Sequence, residues 1–235
     1  MSVIIDYLGH SGFFAETGSA LMLFDYYTGD ISFIRERSPE KPLFVFASHA
    51  HHDHFNDEIF RIAAVRNDVR YLLSFDIERS GEVPDGVDVS YLKADETYEI
   101  GGLGTVTTLL STDEGVAFLV KTPEKTLFHA GDLHWWDWPG EDPAWLAEQK
   151  EVFAREIGKL KGVPIDIAFA VLDDRLEYNF HKGLELLISV CRPKYVLPMH
   201  YRKDAGVIER FRELPCMKDT DTVLLDTAAE KHWEL

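Results

Sequence analysis

The chain has 235 residues, a hydrophobic share of 46% and a formal charge of −17, from 24 Lys and Arg against 41 Asp and Glu. That length accommodates a well-buried core within one domain spanning residues 1–235, and the acidic balance speaks against an electrostatic grip on nucleic-acid phosphates or anionic lipid. The N-terminus lacks the basic flank and apolar stretch of a signal peptide, and no apolar run approaches the ~20 residues of a membrane span. The expectation is therefore a cytoplasmic protein acting on a small molecule, with neither nucleic acid nor membrane as partner.

The first half reads as strand-rich. Short apolar runs at 3–8, 13–17 and 20–24 are punctuated by Gly9, Gly12 and Gly18, as in a meander. Residues 43–47 are continuously apolar, the pattern of a strand buried on both faces. Asn56 or Asp57 can cap a helix running to about Arg66, with Ile59, Ile62 and Ala63 on one face. Further strands are predicted at 71–74, 105–110, 116–120 and 126–130, with Gly101, Gly102 and Gly104 marking a turn before 105.

Helices dominate the second half. Asp142-Pro143 is an N-cap followed by proline at the first helical position, opening a helix to Leu160. A buried strand at 167–172 precedes a helix carrying Leu184, Leu187, Ile188 and Cys191 on one stripe, stopped before Pro193. A strand at 195–197, a helix through Val207, Ile208 and Phe211 and a strand at 223–225 complete the chain. Elements of both kinds recur in both halves, which suggests two sheets with helices outside, a layered α/β arrangement. Cys191 and Cys216 read as reduced, structural thiols.

The chemistry concentrates in one place. Of ten histidines, His49, His51, His52 and His54 lie together with Asp53 directly after the buried strand 43–47. In an extended stretch His49 and His51 point to the same side, since side chains alternate with period two. Imidazoles with a carboxylate suit zinc, and also iron or manganese. Two other predicted strands end in a metal-capable side chain: 126–130 runs into Gly131-Asp132, and 195–197 into Pro198-Met199-His200.

The pattern His49-x-His51-x-Asp53-His54, then Gly131-Asp132, then His200 resembles the metallo-β-lactamase superfamily. The resemblance extends to Leu8-Gly9-His10-Ser11-Gly12 and Leu23-Phe24-Asp25, and looks closest to an uncharacterised hydrolase-like branch related to the ascorbate-phosphate lactonase type. It implies a four-layered αβ/βα sandwich of two mixed sheets with outer helices, and metals at one rim of the sheets. It further implies His49 and His51 as first-metal ligands, Asp53, His54 and His200 as second-metal ligands, and Asp132 as the bridging carboxylate. The family's further first-metal histidine is absent from 109–116. Asp113 is the candidate substitute, and the first site is expected to be the weaker of the two.

Around this centre, His10 and Asp25 are candidate outer-layer or substrate groups. Trp135, Trp136 and Trp138 follow Asp132 and suggest an aromatic wall, with His134 among them facing substrate. The loop 173–178 offers Arg175 for a carboxylate or phosphate, and Tyr178 or His181 as a proton donor. His52 is expected to face outward, and His129, inside an apolar strand, to be a satisfied core histidine. One or two divalent ions, zinc first and manganese or iron as substitutes, would lower the pKa of bound water toward ~7, with Asp53 and Asp132 as the catalytic carboxylates. The expected reaction is hydrolysis of a small ester, lactone, amide or phosphodiester. An iron-dependent redox or dioxygenase member of the same fold, a nuclease, and a metal-binding protein with a degenerate first site are the other readings.

Overall fold

The computed structural model describes residues 2–79, 83–202 and 204–235. The strands are β1 (Ile4–Gly9), β2 (Gly12–Glu16), β3 (Leu21–Phe24), β4 (Leu43–Ala47), β5 (Val69–Ser74), β6 (Val89–Leu92), β7 (Thr97–Ile100), β8 (Gly104–Leu110), β9 (Val116–Lys121), β10 (Thr126–His129), β11 (Ile167–Val171), β12 (Tyr195–Met199), β13 (Val223–Leu224) and β14 (His232–Glu234). The helices are α1 (Pro143–Gly158), α2 (Lys182–Cys191), α3 (Val207–Arg212) and α4 (Pro215–Lys218).

Two seven-stranded sheets form, in the orders β14-β1-β2-β3-β4-β5-β6 and β13-β12-β11-β10-β9-β8-β7. Both are built on one plan. An antiparallel meander, β1-β2-β3 or β7-β8-β9-β10, passes into parallel strands, β3-β4-β5-β6 or β10-β11-β12-β13. The mixed sheets and flanking helices expected from the sequence are therefore present.

The continuous apolar run of β4 shows why the sheets stack. Phe44 and Phe46 turn toward the second sheet, while Leu43, Val45 and Ala47 turn outward, and all five are buried. Phe46 meets Phe118 at 5.2 Å between ring centroids, and Phe13 meets Phe169 at 4.2 Å, locking one sheet to the other. Each such ring removed from water contributes on the order of 1.5–3 kcal/mol. On the far side of the second sheet, Phe153 and Ile157 of α1 and Leu184, Leu187 and Ile188 of α2 join the same core.

The outer layer on the first sheet differs from expectation. The segment expected to be a helix from Asn56 to Arg66 is a 3-10 helix over Asp57–Ala64, burying Ile59, Phe60 and Ile62 against that sheet. Asn56 does cap it, its Oδ1 accepting from the Glu58 N–H at 3.0 Å. α1 begins as expected, with Asp142 Oδ1 accepting from the N–H groups of Ala144 and Trp145 ahead of Pro143. β6, β7 and β14 are strands that the apolar pattern does not announce. Both cysteines carry free thiols, Cys191 buried and Cys216 partly so. Among the described residues no helix is long and apolar enough to cross a membrane.

Candidate metal centre

The parallel strands carry the chemistry at their C-terminal ends, the place where open α/β sheets bind ligands. Asp25 follows β3, the loop 48–54 follows β4, Asp132 follows β10, Asp173 follows β11 and His200 follows β12. His10, Asp25 and His200 adopt left-handed backbone angles, with φ of 51°, 40° and 69°. Such conformations cost on the order of 1–3 kcal/mol each and cluster at functional sites.

Two groups of ligand atoms form, each with its atoms within 4.8 Å of one another: His49, His51, Asp113 and Asp132, and His10, Asp53, His54 and His200. Asp132 faces both. Its Oδ2 lies 3.8 Å from His49 Nε2, and its Oδ1 lies 3.2 Å from His54 Nε2 and 3.3 Å from His200 Nε2. The structure thus brings together all the ligands expected from the sequence, puts Asp113 where the missing histidine would act, and adds His10 to the second group rather than leaving it outside. His10 Nε2 is 3.2 Å from Asp53 Oδ2.

Each buried imidazole spends Nδ1 on the protein and leaves Nε2 for the centre. His54 Nδ1 donates to Asp25 Oδ2 at 2.7 Å, and His200 Nδ1 donates to Asp173 Oδ2 at 2.9 Å. Ser48 Oγ lies 2.9 Å from His49 Nδ1 and donates to Asp25 Oδ2 at 2.6 Å, while the Ser48 N–H donates to Asp25 Oδ1 at 2.7 Å. Outer partners of this kind fix tautomer and ring orientation in metal sites. Asp25 was expected in this role; Ser48 and Asp173 were not, although Asp173 stands at a strand end just as Asp132 does.

Of the buried polar atoms without a hydrogen-bond partner among the described residues, four converge here: His10 Nε2, His49 Nε2, His54 Nε2 and Asp132 Oδ1. An orphaned buried polar atom costs about 1–3 kcal/mol, so a convergence of four is a strong reason for a cation between them. The donors fit one: imidazole and carboxylate in groups of four suit a divalent first-row metal. The electrostatics agree. Burial opposes charge on His200, but Asp132 and Asp173 outweigh it and raise its pKa to about 9, so these carboxylates favour a positive charge here that a metal would supply in place of the Nε2 proton. Burial, reinforced by His54, lowers His49 to about 4, leaving it the neutral imidazole a metal needs. The cluster holds Asp132 well below the usual carboxylate range despite its complete burial, His200 and His54 being the chief causes. Asp113 is shifted upward by burial and by Asp132.

Two glycines let the sheets meet at this point. A Cβ on Gly115 (φ +66°) would strike the Ser48 carbonyl and come within 2.7 Å of His49 Cβ, and one on Gly131 (φ +51°) would lie 2.6 Å from Ser48 Cβ. Gly115→Ala is expected to cost about 2–4 kcal/mol, combining left-handed strain with overpacking against backbone. Chemical denaturation measures this, and a loss below about 0.5 kcal/mol would contradict the close approach.

A cavity of about 450 Å³ opens over the two groups, lined by Asp53, Asp113, Asp132 and His200, with Trp136, Trp138, Trp145, Arg175 and Arg202. A cavity of about 510 Å³ lies at the other end of β11 and β12, between 164–166, 192–194 and 218–222, where no group of ligand atoms converges. We place the chemistry in the smaller one. His52 is exposed, as expected, at its rim. Its aromatic wall is narrower than expected. Trp135 does not line it and lies instead between Lys150 and Lys182, at 5.1 and 5.6 Å.

Three expected substrate contacts are corrected. His134 is buried at 2% exposure, its ring wedged against Gly183 and 5.1 Å from Trp136, so it packs behind the wall. Thr112 Oγ1 holds that stretch, donating to the His134 carbonyl at 2.6 Å. Tyr178 is 70% exposed and lines no part of the cavity. His181 donates through Nδ1 to Glu185 Oε2 at 2.8 Å, one turn along α2, and also lies off the cavity. His129 is the satisfied core histidine expected, stacked on Phe24 and bonded through Nε2 to the Ser11 carbonyl at 2.9 Å. Sequence reasoning missed Arg202, for which being two residues past His200 was the only available signal.

Comparisons with known proteins agree with this geometry. A metal-dependent hydrolase of Pyrococcus abyssi is 23% identical over 211 residues, covering 85% of this chain and 84% of that protein. Another, of Opitutus terrae, is 28% identical over 216 residues, covering 86% of each. Among solved structures, a metallo hydrolase of the archaeon Ignicoccus hospitalis superposes with a TM-score of 0.66 at 16% identity, over 100% of this chain and 98% of that one. The profile of the beta-lactamase superfamily domain matches residues 4–137, more than half the chain and the part that carries His10, Asp25, the 49–54 cluster, Asp113 and Asp132; the chain therefore belongs to the metallo-β-lactamase superfamily.

Proposed function

We propose that the chain is a single-domain metal-dependent hydrolase acting on a small ester, lactone, amide or phosphodiester. The observation that carries this reading is the convergence of orphaned, buried Nε2 and carboxylate atoms beneath an open cavity. The names of its relatives, metal-dependent hydrolases, support it. A divalent ion bound there would lower the pKa of water and polarise the substrate's acyl or phosphoryl oxygen. The residues do the rest. Asp53 and Asp132, both lining the cavity, are placed to accept a proton from the attacking water. Asp25 and Asp173 accept from Nδ1 of His54 and His200, so that Nε2 is the nitrogen left to the metal, which would replace any proton there. Turnover of a lactone, ester and phosphodiester panel, abolished by chelation and restored by added metal, tests the proposal. A metal-loaded protein inert toward the whole panel would overturn it.

We further propose zinc in the second group, held more tightly than the first. The second group has three imidazoles and is largely buried, whereas in the first the His51 and Asp113 side chains are 45% and 41% exposed. Stepwise chelation should remove one ion easily and the other only on unfolding or with excess chelator, read by metal analysis. Asp113→Ala should lose the easily removed ion and retain the other; loss of both, or two ions equally resistant in the native protein, would refute the asymmetry. The carboxylate of Asp113 in place of an imidazole is also a harder donor that suits iron or manganese. An iron-loaded, coloured protein consuming dioxygen would favour the redox reading over hydrolysis.

A further inference from the structure

We propose that the substrate carries, besides the bond cleaved, an oxyanion group that seats on the guanidiniums of Arg175 and Arg202, which line the same cavity. The proposal rests on the hydrolase reading and names the substrate class of that same cavity.

The two arginines are built into the rim. The Arg202 N–H donates to Asp174 Oδ1 at 2.7 Å, so the loop after β11 and the loop after β12 are joined at the point from which both side chains leave. Arg175 is held on two sides. Its N–H and Nε donate to Asp173 Oδ1, each at 2.9 Å, and its guanidinium lies 5.2 Å over the Trp138 ring. Trp138 in turn stacks on Trp136 at 5.7 Å and 4°. Arg202 Nη2 donates to Asp53 Oδ2 at 2.7 Å.

These contacts leave donors over. Arg175 Nη1 and Arg202 Nε and Nη1 have no acceptor among the described residues, yet both residues line the cavity and are near half-exposed. Guanidinium forks match carboxylate and phosphoryl oxygens geometrically and are already charged and partly immobilised here. An arginine serving only to pin Asp173 would have no need of the cavity wall. Charge points the same way. With cations between the ligand groups, the charge of Asp53 is offset by metal and its hold on Arg202 weakens, while Arg175 stays paired with Asp173 and offers its free Nη1 to the cavity. Trp145 on α1, 38% exposed, offers the same cavity an apolar face for the substrate's carbon skeleton.

The test uses metal-loaded protein with three esters of one leaving group: 4-nitrophenyl acetate, which is neutral, 4-nitrophenyl hemisuccinate and 4-nitrophenyl phosphonoacetate. Wild type should favour a charged ester by about tenfold or more in kcat/KM, the size expected of charge-assisted hydrogen bonds. Arg175→Gln/Arg202→Gln should remove that preference, lowering the ratio of charged-ester to neutral-ester kcat/KM by that factor in metal-loaded protein, whatever the change in absolute rate. Single Arg→Lys variants should recover part of the loss. Calorimetry with succinate and phosphonoacetate provides a readout independent of turnover, and the tighter of the two identifies a carboxylate or a phosphoryl group. Equal handling of charged and neutral esters, or probe binding unmoved in the double variant, overturns the proposal. If no ester is turned over, the ester branch of the hydrolase reading fails, and the calorimetry still decides whether the arginines hold an oxyanion.

Discussion

Asp132→Ala is expected to strip both ions and abolish turnover. Asp132 is the one side chain whose two oxygens face the two ligand groups, within 3.2–3.8 Å of three different imidazoles. Its loss removes a donor from each group and the carboxylate lying between His49, His54 and His200. The remaining imidazoles would then face one another across the gap between the groups, with Asp113 the one carboxylate left in the first and Asp53 at the edge of the second. Loss of an outer partner costs metal sites about 10–100-fold in affinity; loss of a shared ligand should exceed that at both positions. Metal analysis after dialysis, assay on the ester panel and thermal unfolding of wild type and variant, each with and without added metal, provide the measurement. The added-metal stabilisation expected of wild type should vanish in the variant, because an ion stabilises the fold only to the extent of its affinity for the folded state. Retained turnover, or two ions after dialysis, would remove Asp132 from the centre.

What the sequence reveals and what it conceals follow from locality. The ligand cluster was legible because four histidines and an aspartate follow a strand whose continuous apolar run marks it as buried on both faces. Asp132 and His200 were legible because each ends another apolar strand. Asp113 is indicated only by the family resemblance, as a candidate substitute where the family's histidine is missing, and the left-handed Gly115 that brings its loop against Ser48 has no sequence signal beyond being glycine. Edge strands were lost for a physical reason: β7 alternates exposed and half-buried residues and β6 buries only Leu92, so neither shows a core pattern. β14 exists because it pairs with β1, a pairing between opposite ends of the chain that no local pattern encodes. The same holds for the site's outer layer. Arg202 acquires meaning from Asp53, 149 residues away, and Asp173 from His200. His134 misled because its neighbours in sequence line the cavity while its own ring turns back against Gly183, a direction set by packing between loop and helix. The 3-10 form of residues 57–64 was likewise hidden, since a cap and a spaced apolar face fit that helix as well as an α-helix.

The second large effect is expected at Asp25, which touches no ligand cavity yet orders the centre. It is fully buried, sits at φ 40°, and accepts from the Ser48 N–H, Ser48 Oγ and His54 Nδ1, with His129 Nδ1 at 3.9 Å. Burial works against its charge, and His129 and His54 outweigh burial to keep it ionised. Asp25→Ala leaves those donors buried and unpaired, at about 1–3 kcal/mol each, and is expected to destabilise the metal-free protein by several kcal/mol. Asp25→Asn separates this packing cost from the chemistry. The amide keeps the volume and still accepts through one oxygen, so the melting temperature should fall only modestly. Its NH2 group, however, would face His54 Nδ1 in place of a carboxylate oxygen, and the favourable pairing then has Nδ1 accepting. That tautomer carries the proton on Nε2, the atom needed for the metal. The expected result is a folded Asp25→Asn protein whose second group binds metal about 10–100-fold more weakly, with the metal-free fold intact by circular dichroism. Wild-type metal affinity in that variant would show that Asp25 supports the loop at Ser48 without setting the tautomer of His54.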